Sequence, residues 1–518
     1  MCYAIFCIAL QSYHRAGDEP IEYRGKAWNQ AYHFLECASH CIVFADLTQP
    51  TYYMIETLCL YMNGELTRVR DVETGIFILV GIIIRLAMRM GFHRDSKPYA
   101  AISPFQGEMR RRKWAVIRSA DILCAFQVGL PSMIRSSETD TNLPSNLFDE
   151  DLEESMAVLP APRPKQDITP VSYMISEHSL TLMFNKILES GNQIIPATYE
   201  ETMKLDGELR EARAQIPQHL QLNINPQDSP NIIMERYVLD LLYYKSQCVL
   251  HRRFLTRARE SPKYAYSRRT CVDACLEMLR HQSALHTECQ SGGQLRKVTW
   301  STTTSLTTHD FLLAAMIICL DLYHTAQAEA HGRTSGDMYA WALERREVML
   351  DAIKRAVAIW ETLRDQSMEA YKASVTLTVM LEKLKNHQVL REQLQSNFSF
   401  PETKTGNVVP HGHVAPEHSA AMTLGMMSSG GMMAPTAQMS VYDPRYLATQ
   451  RAGLAPQSSV EAAGNGMPQQ TAAGAEMMSP FSNLFGTSLG GFPDLQNLQN
   501  AQFDWVSRDR LHQDYLHT

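Results

Sequence analysis

Four groups of residues could do chemistry. His33, Cys37, His40 and Cys41 stand at i, i+4, i+7 and i+8, so one helix would carry four metal-capable side chains on nearly one face, and Cys271 and Cys275 repeat the i, i+4 pair. Structural zinc is mostly held by loop knuckles of the Cys-x-x-Cys kind, and isolated cysteine is a common small core residue, so packing is the ordinary reading of both sets. The run Asp149-Glu150-Asp151-Leu152-Glu153-Glu154 has the carboxylates to hold magnesium against a phosphorylated substrate. It sits beside a proline-rich stretch, though, and no second metal motif accompanies it, which such a site needs. Arg110-Arg111-Arg112-Lys113 could contact phosphates, yet Glu108 and the acidic run offer partners within the chain, and Trp114, Ile117 and Leu123 tie the same helix to a core. His93 and His251 read as helix-end or core histidines. Asp121, beside Ile117 and Cys124, needs a partner to be buried, and Arg85, Arg89, Arg94 and Arg118 are the arginines considered for it. There is no Gly-x-Ser-x-Gly elbow, P-loop or dinucleotide fingerprint, and the enzyme reading is therefore negative, with a helical metal-dependent enzyme as a remote alternative.

The elements that must position these groups read as helices. Val72–Met90 is an almost continuous apolar run broken by Arg85 and Arg89, with Asp71 placed to cap its start and Gly91 to close its end with positive φ. Ser103-Pro104-Phe105-Gln106 is a capping box with proline at the first helical position, opening a helix expected to run to Leu130 and stop at Pro131. Trp28, Ala31, Leu35, Ala38 and Ile42 have helical spacing, and Tyr52 to Tyr61 repeats the pattern after Pro50. Further amphipathic helices are predicted over 172–191, 200–215, 231–257, 267–284, 307–329, 338–364 and 367–394. No segment alternates as a strand does, so the class is all-α.

Between these helices stand Gly91-Phe92-His93-Arg94-Asp95, Arg111-Arg112-Lys113-Trp114, Asp121, Gly129-Leu130-Pro131, Ile134-Arg135, Asp140 and Leu143-Pro144. In this order and spacing they resemble the fungal-specific transcription factor domain, the xylanolytic activator regulatory region found downstream of zinc binuclear cluster DNA-binding domains. Leu250-His251-Arg252-Arg253-Phe254-Leu255 and His309-Asp310-Phe311-Leu312-Leu313-Ala314-Ala315 support the same likeness, which covers roughly residues 1–395. The resemblance implies a regulatory region of a nuclear transcription regulator, with zinc and DNA binding supplied by an upstream module. That module needs six cysteines at short fixed spacings among basic residues, and no such group occurs in this sequence; no cofactor is expected in this chain itself. DNA would be reached through that module or a partner protein, and the alternative is a non-DNA-binding coregulator that dimerises with full-length regulators.

The composition, 45% hydrophobic and 20% charged with a net charge of −7, is that of a globular chain and argues against one that is basic throughout. Eleven scattered cysteines favour reduced thiols over a disulfide framework. The apolar start Met1–Leu10 lacks a basic leader and is too short to span a bilayer, so it is expected to be a core helix, with the chain opening part-way into a larger architecture. No membrane contact is expected. The organisation expected is an N-terminal half over 1–155, a proline-rich linker over 156–171, a C-terminal helical half over 172–397 and a disordered tail over 398–518. Basic residues crowd His251–Arg269, a solvated loop, a nuclear import signal or a partner surface. In the tail, 454–507 contains no Lys or Arg, and Phe481, Leu484, Phe485, Phe492, Leu495, Phe503 and Trp505 are spaced among acidic and polar residues. Residues 479–506 therefore form a candidate activation segment that would fold onto the transcription machinery, while the helical region is open to a small-molecule effector and to homo- or heterodimer partners.

Overall fold

Capping signals and apolar periodicity place the helices, and their faces assemble the core. The structure, a computed structural model, describes residues 1–397 apart from positions 50, 52, 69–70, 72–73, 194, 224, 226, 291, 299–304 and 331–340. The tail and its candidate activation residues lie outside the described residues. Twelve α-helices and no strands are present among those described. In order they are α1 (Cys2–Ala16), α2 (Ala27–Phe44), α3 (Met54–Arg68), α4 (Thr74–Arg89), α5 (Pro104–Gln127) and α6 (Ser172–Gly191). There follow α7 (Tyr199–Ala214), α8 (Pro230–His251), α9 (Ala265–Glu288), α10 (Ser305–Ala330), α11 (Leu343–Leu363) and α12 (Met368–Asn397).

The capping box of α5 forms as its sequence requires: Ser103 Oγ accepts from Gln106 N–H, and the Gln106 side chain reaches back to Ser103 N–H. Its far end differs from expectation. The helix stops at Gln127, and Gly129, at φ 69°, turns the chain so that Leu130 N–H bonds to Ala125 C=O. A left-handed glycine ends the helix before Pro131 has the chance to. Gly91 closes α4 in the same way, at φ 77°, with Phe92 N–H on Ala87 C=O. The expected capping of α4 by Asp71 is also corrected: that carboxylate accepts from Met368 and Glu369 N–H and from Ser367 Oγ, and so caps α12. The basic stretch after His251 leaves the α-helix as three short 3₁₀ turns, the last opening at Pro262, which cannot continue a helix.

In the N-terminal part α1 lies on α2 and α3, and α4 on α5; α5 then meets α6, and α8, α9, α10, α11 and α12 pack in succession. One apolar cluster runs from Ile122 and Phe126 on α5 through Phe184, Tyr237, Val272 and Ile317 to Leu377 on α12. The stretch 156–171 carries no helix, and Asn146 pins it by donating to Pro164 C=O at 2.8 Å and accepting from Thr169 Oγ at 2.6 Å. Leu306–Ala328 is long and apolar enough to cross a membrane, but 72% of that stretch is buried against its neighbours. It also carries Asp310 and Asp321, each ion-paired to a neighbouring helix, as suits the central helix of a bundle.

Candidate functional site

Most of the residues singled out between positions 91 and 144 gather along the first half of α5, while Asp121, Gly129 and Pro131 stand at its other end. Gly91 aims the chain so that 92–95 runs beside that helix, and 139–149 returns along it. Asp95 is the centre. Its carboxylate accepts both arms of Arg111 at 2.9 Å, the Asn142 side chain at 2.8 Å, and the backbone N–H groups of Asn142 and Lys97. Burial works to raise its pKa, but the Arg111 guanidinium and these N–H donors prevail and hold the carboxyl well below the usual carboxylate range. Asp140 accepts from Asp95 N–H at 2.9 Å and pairs with Arg94 at 3.3 Å, while its own N–H bonds to His93 C=O. Trp114, deeply buried, donates from Nε1 to Thr139 Oγ, and that hydroxyl donates to His93 C=O. His93 lies against the same indole, its Nδ1 buried without a hydrogen-bond partner.

The basic run is consumed inside the protein, as its nearby acids foretold. Arg111 also meets Glu108 at 3.5 Å, Arg112 reaches Glu108 and Asp149, Lys113 pairs with Glu56, and Arg110 donates to Met90 C=O and stacks over Phe92. Asp151 of the acidic run caps the N–H of Phe148 and pairs with Arg163 in two contacts. With Asp149 and Asp151 so engaged, the run is not arranged as a pair of magnesium ligands. Of the arginines expected beside Asp121, Arg85 and Arg89 are exposed, Arg94 pairs with Asp140 and Arg118 acts on it only through its charge; the carboxylate accepts instead from the backbone N–H groups of Met133 and Ile134 at 3.0 and 2.9 Å. Those groups come from the loop that Gly129 and Pro131 turn back over α5, so Asp121 fastens that loop. Burial pushes its carboxyl up despite the two donors. Pro144 is buried at the end of the returning segment.

His251 belongs to a separate network. Its Nδ1 lies 2.9 Å from Ser267 Oγ and its Nε2 3.3 Å from Asp206, which also accepts from Tyr266 at 2.6 Å and Arg210 at 3.0 Å. Serine, histidine and aspartate are in line here, but Ser267 and His251 are fully buried, so no substrate can reach the hydroxyl. Burial opposes the charge on Asp206, while His251, Tyr266 and Arg210 together hold its carboxyl well below the ordinary range. Arg252, the next residue, holds its guanidinium 6.0 Å from the Phe126 ring, and its charge acts on the thiols of Cys248 and Cys271.

Sequence reasoning passed over the ion pairs that join core helices. Arg268 forms a two-armed contact with Asp321, to which Trp341 also donates; Lys245 pairs with Asp310; His281 and Arg213 share Asp240. A signal was present, a single charge inside an apolar helix, but it does not say where its partner lies. Between α7 and α8 a cleft of about 460 Å³ is lined by Arg210, Arg213, Arg236, Ile216, Leu220 and Tyr243. Each of the three arginines is already paired, with Asp206, Asp240 and Asp228.

Of the sequence-marked metal candidates, His33 and Cys37 approach to 3.7 Å on an exposed face, without gathering His40 and Cys41 into one ligand set. The binuclear zinc cluster implied by the resemblance does not fit: the one metal-capable group of three or more among the described residues is Cys248, Cys271 and Cys275. The cysteines of the described region are free thiols.

The described scaffold is all-helical, its charged motif residues fasten loops, and its serine–histidine–aspartate line is sealed in the core. Residues 3–218 match the family model described as the fungal specific transcription factor domain. The chain is 38% identical to the Zn(2)-C6 fungal-type transcription factor mpsB of Macrophomina phaseolina over 352 residues, 67% of this chain and 47% of that protein. It is 37% identical over 351 residues to the Zn(2)-C6 fungal-type transcription factor pigI of Monascus ruber, covering 66% and 42%. To the equisetin cluster transcription factor eqxF of Fusarium heterosporum it is 34% identical over 349 residues, covering 66% and 48%. The chain thus spans about half the length of these curated relatives. No solved structure matches.

Proposed function

We propose that this chain is the regulatory region of a nuclear regulator that controls target-gene expression, with residues 398–518 as an activating tail. One observation carries the reading: the motif residues of the matched domain, Asp95, Arg111, Trp114, Asp121 and Asp140, form one fastening of two loops to α5. Such a fastening can have two packings, and a ligand or partner preferring one of them shifts the population and so the presentation of the tail. In this reading 1–155 and 172–397 are two halves of one helical region joined through 156–171. DNA is reached through a zinc module of the kind named in the relatives, or through a partner protein that carries one. An effector would act at the α7–α8 cleft, where its arginines would have to exchange carboxylate partners.

The test is a reporter assay with the chain fused to an unrelated DNA-binding domain. Reporter output should rise, and deleting 398–518 should remove the rise. Unchanged output with and without the tail overturns the activating role. A second reading is a coregulator paired with full-length regulators. In that case a tagged chain recovers promoter DNA only when the partner is co-expressed.

A further inference from the structure

The core holds one group of thiols that gene regulation leaves unused. Cys248 lies in the last turns of α8, and Cys271 and Cys275 stand one turn apart in the first half of α9. All three are fully buried, and their sulfurs lie within 4.8 Å of one another, with Cys248 and Cys275 at 3.6 Å. Cysteine as a small core residue accounts for burial and for the close packing of two helices. It does not account for a cation brought to the same place. Arg252, one turn after Cys248, has a buried Nη1 with no hydrogen-bond partner, an arrangement that costs stability in an apolar core unless an acceptor arrives.

We propose that Cys248, Cys271 and Cys275 bind one thiophilic divalent cation of the zinc–cadmium class, with the Arg252 guanidinium as the balancing charge beside them. Zinc–sulfur bonds of about 2.3 Å place ligand sulfurs a little under 4 Å apart, so these thiols need only small rotamer adjustments to meet on one ion. Three thiolates around a divalent ion leave one negative charge, costly in a dry core and cancelled by Arg252. A purely sulfur ligand set selects soft ions over magnesium and calcium, which take oxygen. Because the sulfurs are sealed, the ion enters as α8 and α9 come together and leaves slowly. The site lies beyond the residues matched to the family and is separate from the six-cysteine cluster that the family implies.

The full chain, purified under reduction, stripped of metal and unfolded, should be refolded with increasing cadmium while the thiolate-to-metal ultraviolet absorption is followed. One tight equivalent is expected. It should vanish in C271A/C275A, persist in C37A/C41A, which alters the exposed cysteines of α2, and bind about tenfold more weakly in Arg252→Met. Uptake that is equal in C271A/C275A and wild type, or no tight uptake at all, overturns the proposal. X-ray absorption on the wild-type chain with one equivalent of cadmium guards against a variant that fails to fold. Three sulfur neighbours support the site, and a shell of nitrogen and oxygen overturns it.

Discussion

Charges around α5 and charges in the α8–α10 core are both used to hold the chain, but they hold different things. Asp121 accepts from backbone N–H groups, Asp95 and Asp140 combine backbone donors with an arginine, and all three fasten loops to a helix. Asp240, Asp310 and Asp321 meet Arg213, Lys245 and Arg268 of neighbouring helices and fasten helix to helix across the core. A loop that loses its fastening can move and admit water, whereas a core helix cannot. The cost of breaking a pair should therefore rise from the first region to the second.

The largest effect is expected for Asp321→Ala, which takes the carboxylate away from buried Arg268 and from the half-buried Trp341 N–H and should cost about 3–5 kcal/mol in denaturant unfolding. A loss below about 1 kcal/mol would erase the distinction between the regions. Asp95→Ala should cost about 2 kcal/mol, since the loop carrying Asn142 can rehydrate, and the exchange of 91–95 and 139–149 amide hydrogens should quicken while that of α10 does not. Acid should separate the regions further. Burial, then the nearby Arg118 charge, lowers the His178 pKa from 6.5 to about 4, so the folded state holds this imidazole neutral. Its folded pKa is the lower one, and its contribution is complete above pH 6.5 and drains away as pH falls toward about 4. The thermal midpoint should fall across that window, and H178Q should flatten the fall. Asp95 and Asp206 titrate low in the fold, so their contribution is present above the ordinary aspartate pKa of about 3.9 and is lost in a second, more acidic decline. The smallest effect belongs to Asp71→Ala, about 1 kcal/mol for a lost helix cap, read as fraying of the first turn of α12 by hydrogen exchange.

Much of the first region was legible because its determinants are local. Ser103, Pro104 and Gln106 start α5, Gly91 ends α4, and the partners of Arg112 lie within reach of the acidic run downstream of it. Gly129 is visible beside Pro131, but the proline alone suggests too late a stop, because a left-handed glycine acts before a downstream proline can. Asp71 misled because a capping residue is recognised by the helix adjoining it in sequence, and here the helix it caps begins almost 300 positions later. The core pairs escaped for the same reason. Lys245 and Asp310 are each visible as a charge on an apolar helix, yet only the folded core shows that they belong together. Cys248 carried no signal at all, since a lone cysteine in an apolar helix is ordinary, and its relation to Cys271 and Cys275 exists only across two helices.

The bond from Asp71 to the start of α12 also sets an order of events during synthesis. The amide of Met368 is 297 residues from its acceptor. At about 5–20 residues per second, the N-terminal helices are made on the order of 15–60 s before their last fastening leaves the ribosome. In that interval Asp71 is a hydrated carboxylate, and the surface that α12 later covers on α10 and α11 is open. A ligand or chaperone present during translation therefore meets a different molecule from the finished one, and the helix that leads into the tail is the last to be set in place.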